Sequence, residues 1–139
     1  MARQDSPAPL QAVLFDSDVL IERFHGSEQA ERFVRSCPLI LRKVSAIAYM
    51  ELLQGAASNR ELHTIRQYIK KNFAEIVPVT EEITHQAIRL VERHALTEGL
   101  RLADALIAAT ALVRGFQLAT ANERHYRPIR GLKLKIYRP

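Results

Sequence analysis

Cysteine is nearly missing from this chain. Cys37 stands alone, so no internal disulfide can form, and a reducing interior is the natural setting. Any apolar run approaching the length of a membrane span is also missing, and no basic-then-apolar leader opens the chain. We therefore expect a soluble, cytoplasmic protein with no membrane partner. Internal repeats and low-complexity tracts are absent too. What remains is 47 % apolar and 25 % charged over 139 residues, a balance and length that suit one domain with a real core. Residues 1–11, which hold two prolines, read as a loose leader, and residues 12–139 as the domain.

Acidic residues are scarce in one region. From Arg114 to Pro139 seven Lys or Arg face Glu123 alone, whereas the other 113 residues carry 13 basic and 14 acidic groups. A basic tail on a near-neutral body suits a polyanionic partner, because neutralising phosphates dominates nucleic-acid affinity. A solvated basic face with no partner is the alternative.

The stretch Ala12 to Leu20, AVLFDSDVL, organises the rest. Ala12 to Phe15 is an unbroken apolar run, the mark of a strand buried on both faces. It ends abruptly in Asp16-Ser17-Asp18. A parallel strand delivers its next residues to the carboxyl edge of a sheet, where open α/β folds place ligands. Paired carboxylates there suit Mg2+ or Mn2+, which favour oxygen donors. Helix capping by Asp16 or Asp18 is the plainer reading.

Further along, Val19–Phe24 and Glu28–Ser36 read as helices and Leu39–Leu41 as a short strand. Ser45 caps a helix over 46–53 whose odd member, Glu51, sits between Tyr49-Met50 and Leu52-Leu53. Burying that carboxylate demands a partner, a metal or a basic side chain; an exposed stripe with Gln54 is the alternative. Asn59–Phe73 is amphipathic, with Leu62, Ile65, Ile69 and Phe73 on one side and Arg60, Arg66, Lys70 and Lys71 on the other. Glu75–Val77 is a strand. Thr80 caps a helix ended by Gly99, with Ile83, Ala87, Leu90, Val91 and Ala95 inward. His85 and His94 lie nine residues apart on it, unlike an i, i+4 metal pair, and read as surface or boundary residues. Leu102–Val113 is apolar nearly all round, with Asp104 its only ionisable residue. Its first-turn position also suits the helix dipole. Phe116–Ala119 is a strand running into Thr120-Ala121-Asn122, and Lys133–Tyr137 alternates like an edge strand. Helices alternating with short apolar strands imply a mostly parallel sheet of about five strands covered on both faces. Asp16, Asp18, Glu51, Asp104 and Asn122 then share one destination, an acidic pocket.

The segments DSDVL (16–20), SAIAYMELLQG (45–55), RLADALIAATAL (101–112) and LATANERHY (118–126) resemble the PIN-domain family, and more narrowly the VapC-type toxins of toxin–antitoxin pairs. The resemblance covers the chain from Ala12 onward. It implies a three-layer α/β/α sandwich that binds Mg2+ or Mn2+ and acts as an endoribonuclease. Asp16, Glu51 and Asp104 match the family's carboxylates, which hold metal and carry catalysis. Ser17, Asp18, Thr120 and Asn122 match supporting positions. His125 departs from the pattern, because many members place a fourth acidic residue there. Arg114, Arg124 and Arg127 would hold the RNA backbone. The resemblance further implies a structured RNA substrate such as tRNA or rRNA, a small inhibitory antitoxin protein, and a homodimer.

Two other readings stand beside it. A non-catalytic PIN-like domain would bind RNA or a partner without cutting, and His125 is its support. A haloacid-dehalogenase-like phosphatase would use Asp16 as nucleophile and Asp18 as acid, but the acidic pair it needs after Asp104 is missing.

Overall fold

The computed structural model describes residues 10–139. Most of the expected leader, residues 1–9, lies outside the described residues. Val13, Leu14 and Phe15 form β1 (Val13–Phe15), buried throughout as an unbroken apolar run requires. It lies between β2 (Arg42–Ser45) and β4 (Gln117–Thr120), with β3 (Glu75–Val77) and β5 (Leu134–Ile136) outside them. The order is β3-β2-β1-β4-β5, and every pairing is parallel.

Parallel neighbours need long crossovers, and helices supply them. Helices α1 (Ser17–Phe24) and α2 (Glu28–Arg35) join β1 to β2, and α3 (Ala46–Gln54) and α4 (Asn59–Asn72) join β2 to β3. Next, α5 (Glu81–Glu98) and α6 (Leu102–Arg114) carry the chain back across the sheet to β4, and α7 (Glu123–Tyr126) precedes β5. With right-handed crossovers this reversal sets α1 to α4 and α5 to α7 on opposite faces, a three-layer sandwich. It also makes the carboxyl ends of β1 and β4 a switch point, since the chain leaves them in opposite directions. Open α/β sheets hold ligands at such crevices.

Local chemistry sets the boundaries. The Ser45, Ser58 and Thr80 hydroxyls accept from the amides of Ala48, Glu61 and Ile83 at 2.9, 3.2 and 3.2 Å, capping α3, α4 and α5. Gly99 and Gly115, at φ 68° and 71°, close α5 and α6 in the left-handed region that disfavours a Cβ. Helix α6 packs on α5, α3 and β4, and its buried Ala105, Ala108, Ala109 and Ala111 permit close approach on several sides.

Two expectations are corrected. Leu39–Leu41 is one 3-10 turn, closed by the Leu41 amide on the Pro38 carbonyl at 2.9 Å, with Leu39 and Ile40 exposed. The strand is instead Arg42–Ser45, which its charged start concealed. Arg42 is buried because its guanidinium donates to the carbonyls of Cys37 (2.8 Å) and Asn72 (3.2 Å), satisfying a cation inside the fold. His85 is exposed, but His94 is buried on the inward stripe with Nδ1 2.5 Å from Glu98 Oε1.

Away from the switch point, Glu31 of α2 fastens three helices. Its Oε1 accepts from Arg23 Nε of α1 and the Tyr68 hydroxyl of α4, both at 2.8 Å, and its Oε2 from Arg35 Nε at 2.5 Å. Under this network Phe15 is fully buried, edge-on to Phe33 and Phe73 with ring centroids 6.0 and 5.6 Å away. Phe15→Ala would leave a cavity at the centre of the sheet and lower the unfolding free energy by about 3–5 kcal/mol, as urea denaturation will show.

Candidate active site at the carboxyl edge of the sheet

Residue 16 is where β1 stops and α1 begins, so its side chain serves two purposes. Asp16 caps α1, with Oδ1 accepting from the Ser17 amide at 2.8 Å. Its Oδ2 accepts from the Thr120 hydroxyl at the end of β4, also at 2.8 Å. Asp16 thus caps the helix while its other oxygen faces the end of β4. Only 4 % of Asp16 is exposed.

Asp18 lies in the first turn of α1 and reaches across to the same strand end. Its Oδ1 accepts from the Val19 amide at 2.7 Å and its Oδ2 from the Ala121 amide at 3.1 Å. Thr120 Oγ1 is also 3.2 Å from that Oδ2. A hydroxyl has one proton to give, so Asp16 and Asp18 share it. Thr120 Oγ1 in turn accepts from the Asn122 amide at 2.9 Å, shaping the turn into α7.

The remaining expected residues gather around this pair. Ser17 Oγ donates to Glu51 Oε1 at 2.9 Å, bringing α3 to the start of α1. Glu51 is thus half-buried, and its side-chain partner among the described residues is the Ser17 hydroxyl. It also lines a cleft of about 170 Å³ walled by Ile21, Phe24, Leu52, Ala56 and Ile65. Asp104 sits in the first turn of α6, half-buried, and accepts from the Tyr126 hydroxyl at 3.3 Å. Asn122 Nδ2 is 3.0 Å from His125 Nδ1. An amide NH2 only donates, so as this amide is oriented Nδ1 accepts and the neutral ring keeps its proton on Nε2.

Of the three arginines, Arg124 and Arg127 on and after α7 are exposed near this edge. Arg127 pairs with Glu123, and Arg124 has no side-chain partner among the described residues. Arg114 is not brought to the pocket. It precedes β4, at the opposite edge of the sheet, and grips Glu75 through two bonds of 3.1 and 3.2 Å. Sequence proximity to the basic tail concealed this, because strand direction alone decides which edge a residue reaches.

The sequence presents Tyr126 only as a neighbour of His125, yet it belongs to the site. Its ring is fully buried and its hydroxyl points at the carboxylates. A lone aromatic within the otherwise polar run Glu123-Arg124-His125-Tyr126-Arg127 is the signal that could have found it.

The electrostatics reflect this crowding. Burial, then the charge of Asp18, pushes Asp16 up to about 7, against the hydrogen bonds from Thr120 and Ser17, with Asp104 adding to the rise. Asp18 is raised as well, chiefly by burial. Burial and the charges of Asp16 and Asp104 raise Tyr126, so it stays a donor. Among the described residues no three His, Cys, Asp or Glu side chains close into a ready cage for an ion. Asp104 is turned to Tyr126 and Glu51 to Ser17. The donor set is nevertheless all oxygen, and its crowded like charges are what a hard divalent cation would relieve.

The family model for the PIN domain matches residues 13–130. The chain belongs to the PIN-domain family. Among PIN relatives, ribonuclease VapC10 of Mycobacterium tuberculosis is 33 % identical over 128 residues, 87 % of this chain and 90 % of that protein. Ribonuclease VapC1 of Methanocaldococcus jannaschii is 28 % identical over 127 residues, 90 % and 86 % of the two chains. A chain in a toxin–antitoxin complex from Klebsiella pneumoniae superposes with a TM-score of 0.75 at 27 % identity, covering 87 % of this chain and 95 % of that one. DNA-bound VapBC from Salmonella typhimurium matches at a TM-score of 0.77 and 19 % identity over 93 % and 100 % of the chains, which shows the shared fold. The VapC-type resemblance is thereby borne out, and the haloacid-dehalogenase-like reading is set aside.

The raised Asp16 carries a consequence for stability. Its folded value lies above the ordinary 3.8, so between about pH 4 and 7 the folded chain holds a proton the unfolded chain has lost. Stability contributed by that proton is present at low pH and disappears as pH rises through the window. Metal-free protein is therefore expected to lose about 2–4 kcal/mol from this group between pH 4 and pH 8. Urea unfolding of wild type and Asp16→Asn at both ends checks it: the variant should show a much flatter dependence, and parallel curves would contradict the assignment.

Proposed function

We propose that this PIN-domain chain is a Mg2+- or Mn2+-dependent endoribonuclease, the toxin of a VapBC-type pair. The observation that supports it best is Asp16, buried at the switch point and tied through one shared hydroxyl to Asp18. Asp104 and Glu51 arrive from two other helices. Its curated relatives bear the name ribonuclease, and several structural relatives are toxin–antitoxin complexes.

Asp16, Asp104 and Glu51 are the residues that would hold the cation. Bound there, it would lower the pKa of an attacking water and neutralise charge growing on the phosphate. The chain's own groups supply the rest. Thr120 and Ser17 hold Asp16 and Glu51 in place. Glu51, half-buried and joined to the start of α1 through Ser17, is the carboxylate that would accept the water's proton. His125, whose Nδ1 faces the Asn122 side chain, would present Nε2 to a phosphate oxygen or to the leaving oxygen. Arg124 and Arg127 offer guanidinium groups to the backbone of a structured RNA such as tRNA or rRNA. An acidic pocket of this kind also suits inhibition by a basic segment of a small antitoxin. Homodimer formation and a cytoplasmic setting complete the proposal.

The test is cleavage of end-labelled RNA by purified protein. Discrete products with Mg2+ or Mn2+, none with EDTA, and a loss of at least about 100-fold in Asp16→Asn and Asp104→Asn are expected. Undiminished RNA binding without cleavage in any divalent cation would instead identify a non-catalytic PIN-like domain. Salt dependence separates the arginines. Arg124→Ala should weaken RNA binding and lower the slope of log K against log[salt] by about 0.7, while Arg114→Ala should leave both unchanged.

A further inference from the structure

The four carboxylates of the pocket are not equally well held. Asp16 accepts from the Ser17 amide and the Thr120 hydroxyl. Asp18 accepts from two amides and shares Thr120. Glu51 accepts from Ser17 Oγ. Asp104 has one side-chain partner among the described residues, the Tyr126 hydroxyl, and no amide holds its carboxylate. Tyr126 itself is fixed, because its ring is 0 % exposed within the core.

Packing asks only for a phenyl ring at this position. A phenylalanine would fill the same space without carrying a hydroxyl inward, and a buried hydroxyl left unpaired costs about 1–3 kcal/mol. This hydroxyl is aimed at Asp104, which, like Glu51, has a single side-chain donor among the described residues. The hydroxyl also lies within reach of Asp16, whose charge acts on it more strongly than that of Asp104, while its 3.3 Å bond goes to Asp104. Two hydroxyls therefore lace the pocket: Thr120 joins Asp18 to Asp16, and Tyr126 secures Asp104 beside them.

We propose that Tyr126 is a positioning residue, its hydroxyl pre-orienting the Asp104 carboxylate for binding of the divalent cation. The inference rests on the metal-dependent reading above. A carboxylate already held in place loses less rotational freedom when an ion arrives, so affinity rises without a new ligand.

Mn2+ titrations of wild type, Tyr126→Phe, Asp104→Asn and the double variant, read by electron paramagnetic resonance, test it. Tyr126→Phe should keep a cooperative melt and bind Mn2+ about 3–10-fold more weakly, the scale of one hydrogen bond. In the Asp104→Asn background it should weaken binding no further, because Tyr126 acts through Asp104. In RNA cleavage its KM should be unchanged, and kcat should recover at saturating Mn2+, which a packing defect would not allow. Equal Mn2+ affinity in wild type and Tyr126→Phe would overturn the proposal while leaving the metal reading intact. The same loss with and without Asp104, or a collapsed melt, would also overturn it. Wild type that fails to bind Mn2+ at all would overturn both.

Discussion

A carboxylate inside a fold must be answered by donors, and the placement of Asp16 dictates the surroundings of the switch point. The end of β1 carries it inward, and β4 supplies the Thr120 hydroxyl that meets it. That pairing depends on parallel register, with Phe15 opposite Ala119 and the Asp16 amide bonded to the Ala119 carbonyl at 2.8 Å. Shifting either strand by one residue would turn Thr120 to the other face and leave the carboxylate without its hydroxyl. Fold and site are thus secured by the same few atoms.

Much of this is legible in the sequence. Ala12–Phe15 declares a buried strand because nothing polar interrupts it, and Asp16 and Asp18 stand out against that background. Helix ends are readable where Ser45, Thr80, Gly99 and Gly115 announce them through capping and left-handed geometry. Glu51 and Asp104 are conspicuous as lone charges on apolar helices. Family likeness then supplies what spacing alone leaves open, the grouping of these residues into one pocket.

What escapes sequence reading depends on direction and on partners. Arg42 opens a central strand and hides it, since its burial is made tolerable by carbonyls of Cys37 and Asn72 that only the fold brings to its guanidinium. Tyr126 hides for the opposite reason, because an aromatic residue in a core needs no explanation until its hydroxyl is seen to face Asp104. Arg114 belongs to a basic run, yet strand polarity places it a full strand length from Thr120.

The two edges of the sheet also differ in how freely they can drift. At the amino edge Lys43, Arg114 and Glu75 form partly exposed ion pairs, with nitrogen–oxygen distances of 3.4 and 3.1 Å. Each such pair contributes little and can be exchanged for another polar arrangement one residue at a time. At the carboxyl edge one Thr120 proton serves two acids, and the Asn122 amide serves Thr120. Thr120 cannot lose its hydroxyl without stranding both Asp16 and Asp18, so substitutions among these three side chains must come in concert. Evolution can rework one rim of this molecule piecemeal, while the other can move only as a unit.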